Sequence, residues 1–245
     1  MMRVFTPEIA RQVIDHGLHI DTYDGMEVEG KTTIEQSLSL DYDYCLPEAM
    51  QMLVDWKHKF DCVQASFKLI DVDVAEKISQ IDCNYLSLPR LELLGVTEAR
   101  WLSHSTEYIL MVGIEAEPDP EVIQGLMNPS HERPLQILLQ TLSDENASVL
   151  ASYTHELYLE LPFQSLTRSA TAILAKYEGY LFQLALPNLG GGEISADETL
   201  EILSSLPYKR VQLIHSGNER LYIGVTREEQ LDGCDIGSES TAGLE

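Results

Sequence analysis

Six lines of the chain, opening at Cys62, Tyr85, Tyr108, Pro134, Leu157 and Tyr180, repeat one design at intervals of about 23 residues, with one longer step. Each opens extended and closes helical. The openings Val63-Gln64-Ala65-Ser66-Phe67, Leu86-Ser87-Leu88-Pro89, Leu135-Gln136-Ile137-Leu138-Leu139, Leu157-Tyr158-Leu159-Glu160-Leu161 and Leu181-Phe182-Gln183-Leu184-Ala185-Leu186 mostly alternate apolar with polar or small residues. That period of two marks a strand with one buried face. In the closings the period changes: Ala49, Met52, Leu53 and Trp56 fall at i, i+3, i+4 and i+7, as do Ala170, Ile173, Leu174 and Tyr177. Caps are expected at Thr97, Asp119, Ser143 and Ser195, with Glu198 completing a capping box. Pro89, Pro162 and Pro187 are expected at strand ends and Gly179 after a helix.

A five-residue strand and a ten-residue helix cannot bury both apolar faces alone, but stacked copies share one core. The expected architecture is therefore α/β, a solenoid with parallel strands on its concave side and helices on its convex side. Residues 1–36 read as an N-terminal cap of a helix and short strands, 37–210 as about seven repeats of roughly 22–31 residues, 211–226 as a closing β-hairpin, and 227–245 as a disordered tail.

Charge and composition narrow the function. Forty acidic against 16 basic side chains leave a formal net charge of −24. Such a surface repels phosphate backbones, and no Lys/Arg-rich run provides a local exception, so nucleic acid and anionic membranes are not expected partners. Apolar residues make up 44% of the chain, enough for a core. The opening segment carries Pro7 and Glu8 where an export signal needs an apolar stretch, and Cys45, Cys62, Cys83 and Cys234 are too sparse for a disulfide scaffold. The expected setting is cytoplasmic.

Tyr85-Leu86-Ser87-Leu88-Pro89-Arg90-Leu91, Leu157-Tyr158-Leu159-Glu160-Leu161 and Leu184-Ala185-Leu186-Pro187-Asn188-Leu189 resemble the leucine-rich repeat, in its loosely patterned bacterial form, over about Ser37 to Arg210. Only Asn188 matches the asparagine of that pattern. The resemblance implies a binding surface and carries no catalytic residue across.

Candidate chemistry is sparse. His16, His19, His58, His104, His131, His155 and His215 are scattered, and none joins a serine or cysteine in a nucleophile motif. Gly190-Gly191-Gly192 lacks the lysine of a phosphate loop and reads as a lengthened turn. Cys62 and Cys83 recur in an apolar-Asp-Cys triplet, which suits either stacked thiols at a metal or, better, small buried residues at a repeat position. Asp41/Asp43 and Asp71/Asp73 suit calcium or, better, helix capping by Asp43 and Asp73. No metal or cofactor is expected.

The polar strand positions carry the functional expectation. With Val63, Ala65, Phe67, Leu88, Ile137, Leu159, Leu184 and Leu213 inward, Gln64, Ser66, Ser87, Gln136, Tyr158, Glu160, Gln183 and Gln212 project from the concave face. Amides that both donate and accept, beside an aromatic anchor, suit a protein partner with a polar or basic surface. The expected role is a non-enzymatic interaction module. Alternatives are a hydrolase or transferase with its site in the strand-end loops, and an acidic antagonist of a nucleic-acid-binding protein.

Overall fold

The computed structural model describes residues 2–17, 19–28, 31–105, 109–127, 133–161, 167–177, 179, 181–185, 198, 201–202, 210–214 and 220–224, with backbone alone at 22–28, 31–35, 181, 183, 185, 210–214 and 220–224. The elements in chain order are β1 (Val4–Phe5), α1 (Pro7–His16), β2 (Ile20–Val28), β3 (Lys31–Leu40), β4 (Tyr44–Cys45), α2 (Pro47–Trp56), β5 (Phe60–Ala65), α3 (Val72–Ile78), β6 (Cys83–Leu91), α4 (Val96–Leu102), β7 (Ile109–Ile114), α5 (Pro120–Leu126), β8 (Leu135–Leu139), α6 (Asp144–Ala151), β9 (Glu156–Glu160), α7 (Arg168–Leu174), β10 (Leu181–Ala185), β11 (Arg210–Ile214) and β12 (Arg220–Gly224). The protein is α/β. Among the described residues, ten strands form one sheet in the order β12-β11-β10-β9-β8-β7-β6-β5-β3-β2. Every pairing from β3 to β11 is parallel, while β2 and β12 run antiparallel at the two edges.

Alternation along each strand explains which face is buried. Val63, Ala65, Leu86, Leu88, Leu110, Val112, Leu135, Ile137, Leu157, Leu159, Phe182 and Leu184 lie at 0–2% exposure in one continuous core with Leu53, Val74, Ala99, Ile123, Leu150 and Leu174 of the helices. Consecutive helices touch from α1 through α7, so they form one layer over that face. Their starts follow capping chemistry. Asp119 accepts the Glu121 N–H, Ser143 the Asn146 N–H and Thr167 the Ala170 N–H, while Gly17 ends α1 in the left-handed region at φ 66°.

The loops between strands and helices hold a second ladder. The Asp43 N–H donates to the Arg3 carbonyl, Lys68 to Asp43, Glu92 to Lys68 and Ala116 to Glu92, each at 2.7–3.1 Å. Backbone amides thus span successive turns where a repeat of the asparagine type would use side chains. The charges on this ladder alternate. Arg3 pairs with Asp41, and Lys68 stands between Asp43 and Glu92 at 4.0 and 3.5 Å. The Arg3–Asp41 pair is exposed and Asp43 is half-buried, so these pairs lie where solvent and salt weaken them.

Several expectations need correction. The expected cap boundary at residue 36 falls inside β3, which pairs antiparallel with β2 along its length. Pro89 does not end its strand. It sits within β6, where the register slips between Leu88 and Leu91, because proline offers no N–H for the ladder and a bulge absorbs the missing bond. Helix α4 is capped at Gly95 rather than Thr97, and α3 at Asp71 rather than Asp73. Asp43 caps no helix, since α2 starts from Leu46. Pro162, Pro187, Asn188, Gly190–Gly192, Ser195, His131, His215 and the tail from 227 lie outside the described residues.

Candidate interaction surface on the open sheet face

Strand alternation that buries one face presents the other, and the helices leave that other face uncovered. Register sets its side chains in rows. One row runs Ser39, Gln64, Ser87, Met111, Gln136, Tyr158 and Gln183, each residue the direct partner of the next across the sheet. Gln212 stands one residue before Leu213, the partner of Leu184, and faces Tyr222 on β12. A neighbouring row holds Ser37, Cys62, Tyr85 and Ile109, and on the other side lie Gly113, Leu138, Glu160 and Ala185.

The expected residues fall on this face with differing exposure. Gln64 is exposed, and Gln136, Tyr158 and Glu160 are half-buried. Ser87 is only 2% exposed, and its hydroxyl donates to the Met111 sulfur at 3.1 Å. The Tyr158 hydroxyl donates to Glu156 at 3.1 Å, which tethers the ring along the strand. Ser66 lies one residue past the end of β5, its N–H bonded to the Leu40 carbonyl, so it stands at the strand end and outside the main row. The side chains of Gln183 and Gln212 lie outside the described residues. Sequence reasoning missed Met111, Tyr85 and Leu138. Met111 sits in Ile109-Leu110-Met111-Val112-Gly113-Ile114, an unbroken apolar run in which alternation is invisible.

The carboxyl ends of β6, β7 and β8 bound a cleft of about 180 Å³ lined by Pro89, Gly113, Ile114, Glu115, Leu138, Leu139 and Gln140. Gly113 is required there, because a Cβ at that position would lie 2.2 Å from the Pro89 carbonyl oxygen. Glu115 is its one titratable lining group. Burial alone pushes the Glu160 carboxyl above its ordinary range.

The metal and thiol candidates resolve into structural roles. Asp41 binds the Arg3 guanidinium and Asp43 its backbone N–H, and both carboxyls are held below their usual range by those hydrogen bonds. Asp71 accepts from the Val74 N–H and the Tyr44 hydroxyl, each at 2.8 Å. Cys83 pairs with Phe60 and Cys62 with Tyr85, so the two triplets are offset by two positions and the thiols do not stack in register. Burial raises Cys45 and Cys83 to about 12 and raises Cys62 as well. Among the described residues no three of His, Cys, Asp or Glu gather where they could hold a metal. Among them, too, no helix is long and apolar enough to cross a membrane.

Carboxylates follow one edge. Glu8, Glu48, Asp73, Glu98, Glu121, Asp144 and Glu145 occupy the first turns of α1 to α6, beside the carboxyl ends of the strands. Lys57, Lys77, Arg100 and Lys176 lie at the opposite helix ends. The helix dipole favours this distribution.

No protein-family model, no curated protein and no solved structure matches this chain.

Proposed function

We propose that the chain is a leucine-rich-repeat-like solenoid and works as a non-enzymatic interaction module, docking a protein of polar or basic surface on its open sheet face. Its support is that in the main sheet each strand neighbours the strand that precedes it in that sheet, and each helix from α2 to α7 the helix before it, as stacked modules require. One observation carries the functional part. The in-register row Gln64–Ser87–Met111–Gln136–Tyr158 stands on the sheet face opposite the helices, with no element of the described residues packed over it. A preformed surface with amides, a thioether and an aromatic ring loses little entropy on binding.

The experiment uses the full chain as bait and compares variants on any captured protein. Gln136→Arg and Tyr158→Ala are expected to weaken the complex about tenfold or more, and Ser148→Arg in the helical layer to leave it unchanged. Association is expected to slow as salt rises, because the protein's charge is −24. Complexes that ignore both open-face variants and respond to Ser148→Arg would sink the proposal.

A second reading has the carboxylate edge of α1 to α6 in its favour: an acidic antagonist presenting a phosphate-like array to a basic groove. It predicts that a polyanion such as heparin displaces the partner and that Tyr158→Ala does not.

A further inference from the structure

Resting on the interaction role just proposed, we infer that the strand-end part of the open face, where Leu138 lies between Gly113 and Glu160, is the anchor site for an arginine side chain of the partner protein. Register builds the site. Leu138 pairs with Gly113 on one side and with Glu160 on the other, so the Glu160 backbone stands one strand spacing, about 4.8 Å, from that of the leucine. Pro89, Gly113 and Leu138 give the cleft its apolar wall, and Glu115 and Gln140 give it oxygen acceptors. Glu115, just past the end of β7, lines the cleft, and Glu160, at the end of β9, stands one strand beyond its Leu138 wall. Its volume of about 180 Å³ suits one long side chain rather than a cofactor.

Charge and shape select the occupant. An aliphatic stem lies on Leu138 while its planar head reaches Glu160, and a guanidinium offers a carboxylate two parallel N–H donors where an ammonium offers a point charge. The Glu160 carboxyl is half-buried, and neither a hydrogen bond nor an ion pair to it is present among the described residues. Half-removed from water, it attracts a cation more strongly than the exposed acids of the helix edge. Its burial also raises its pKa, so the carboxylate costs the folded state some stability at neutral pH. A half-buried carboxylate one strand away from Leu138 of the cleft wall is placed for a cationic ligand.

The test uses the full chain, isotopically labelled, and an acetylated, amidated pentapeptide with one central arginine. Its control is the same peptide with citrulline, which keeps the shape and loses the charge. The arginine peptide is expected to shift the Gly113, Leu138, Gln140 and Glu160 amides saturably, and the citrulline peptide is not. Glu160→Gln should weaken arginine binding about tenfold, the loss of one charge-assisted contact. Glu98→Gln, which removes the same charge from the helix edge, should weaken it less than twofold. Glu160→Gln should also melt no lower than the parent at pH 7, which separates lost binding from lost folding. Equal effects of the two variants, or shifts without saturation, would overturn the inference. So would a captured partner that Tyr158→Ala releases and Glu160→Gln leaves bound, and that result would leave the interaction role standing.

Discussion

Arg133 stands just ahead of β8 at 4% exposure, and its guanidinium donates to the carbonyls of Leu102, Ser103 and Ser105. Those carbonyls lie at the end of α4 and in the turn just after it, where the Leu102 carbonyl also accepts from the Ser105 N–H and hydroxyl. The Arg133 carbonyl in turn accepts from the Tyr153 hydroxyl at 2.8 Å. One residue, through its side chain and its carbonyl, therefore joins the end of α4, the start of β8 and the turn after α6. Nothing in the sequence marks it, because a single arginine before a proline looks like any surface cation. Arg133→Ala is expected to cost about 3 kcal/mol, because buried carbonyls lose a charged donor, and Arg133→Lys somewhat less, since an ammonium keeps the charge but not the planar fork. Urea unfolding of the two variants checks both values. A loss below about 0.5 kcal/mol, the range of ordinary surface changes, would deny the clamp.

At the level of elements, the seven-residue α3 depends on what meets its ends. Asp71 satisfies its first amide turn and takes the Tyr44 hydroxyl. Asp71→Ala is expected to lower stability by about 1–2 kcal/mol and to bring the Tyr44 hydroxyl down from about 12, both readable in one ultraviolet pH titration. The alternation in β5, β6, β8 and β9 assigned faces correctly: Gln64, Ser87, Gln136 and Tyr158 do share a row. The ruler of 23 was poorer. Cys62 and Tyr85 are true equivalents, yet Tyr85 pairs with Ile109 and not Tyr108, and Glu156 with Leu181 and not Leu157 with Tyr180. Turn lengths vary between modules, and side-chain parity within a strand does not. The extended opening expected after Tyr108 is β7, but its faces are hidden because all its residues but Gly113 are apolar, and the first half of β3 lies in a polar stretch that pairing with β2 makes extended. The cleft was illegible for a related reason: it arises from a register slip opposite Gly113, and slips belong to the assembled sheet.

For the molecule as a whole, protons held by the folded state set its alkaline limit. Tyr44 is held at about 12 by donating to Asp71 and by burial, and Cys45 and Cys83 at about 12 chiefly by burial, against ordinary values of 10.0 and 9.0. Below about pH 8 all three are almost wholly protonated in both states and contribute little pH dependence. Between about 9 and 12 the unfolded chain releases protons that the folded one keeps, so stability falls across that window. The urea midpoint is expected to drop between pH 8.5 and 10.5, and native Cys45 and Cys83 to resist alkylation at pH 8 where the unfolded chain reacts. A flat midpoint, or rapid native labelling of both thiols, would contradict these assignments.

Every strand of the main sheet lies beside the one synthesised just before it, from the β2–β3 hairpin to β12. A ribosome making this chain therefore hands each new strand of that sheet to an edge already standing, while the short β1 waits for its partner β4.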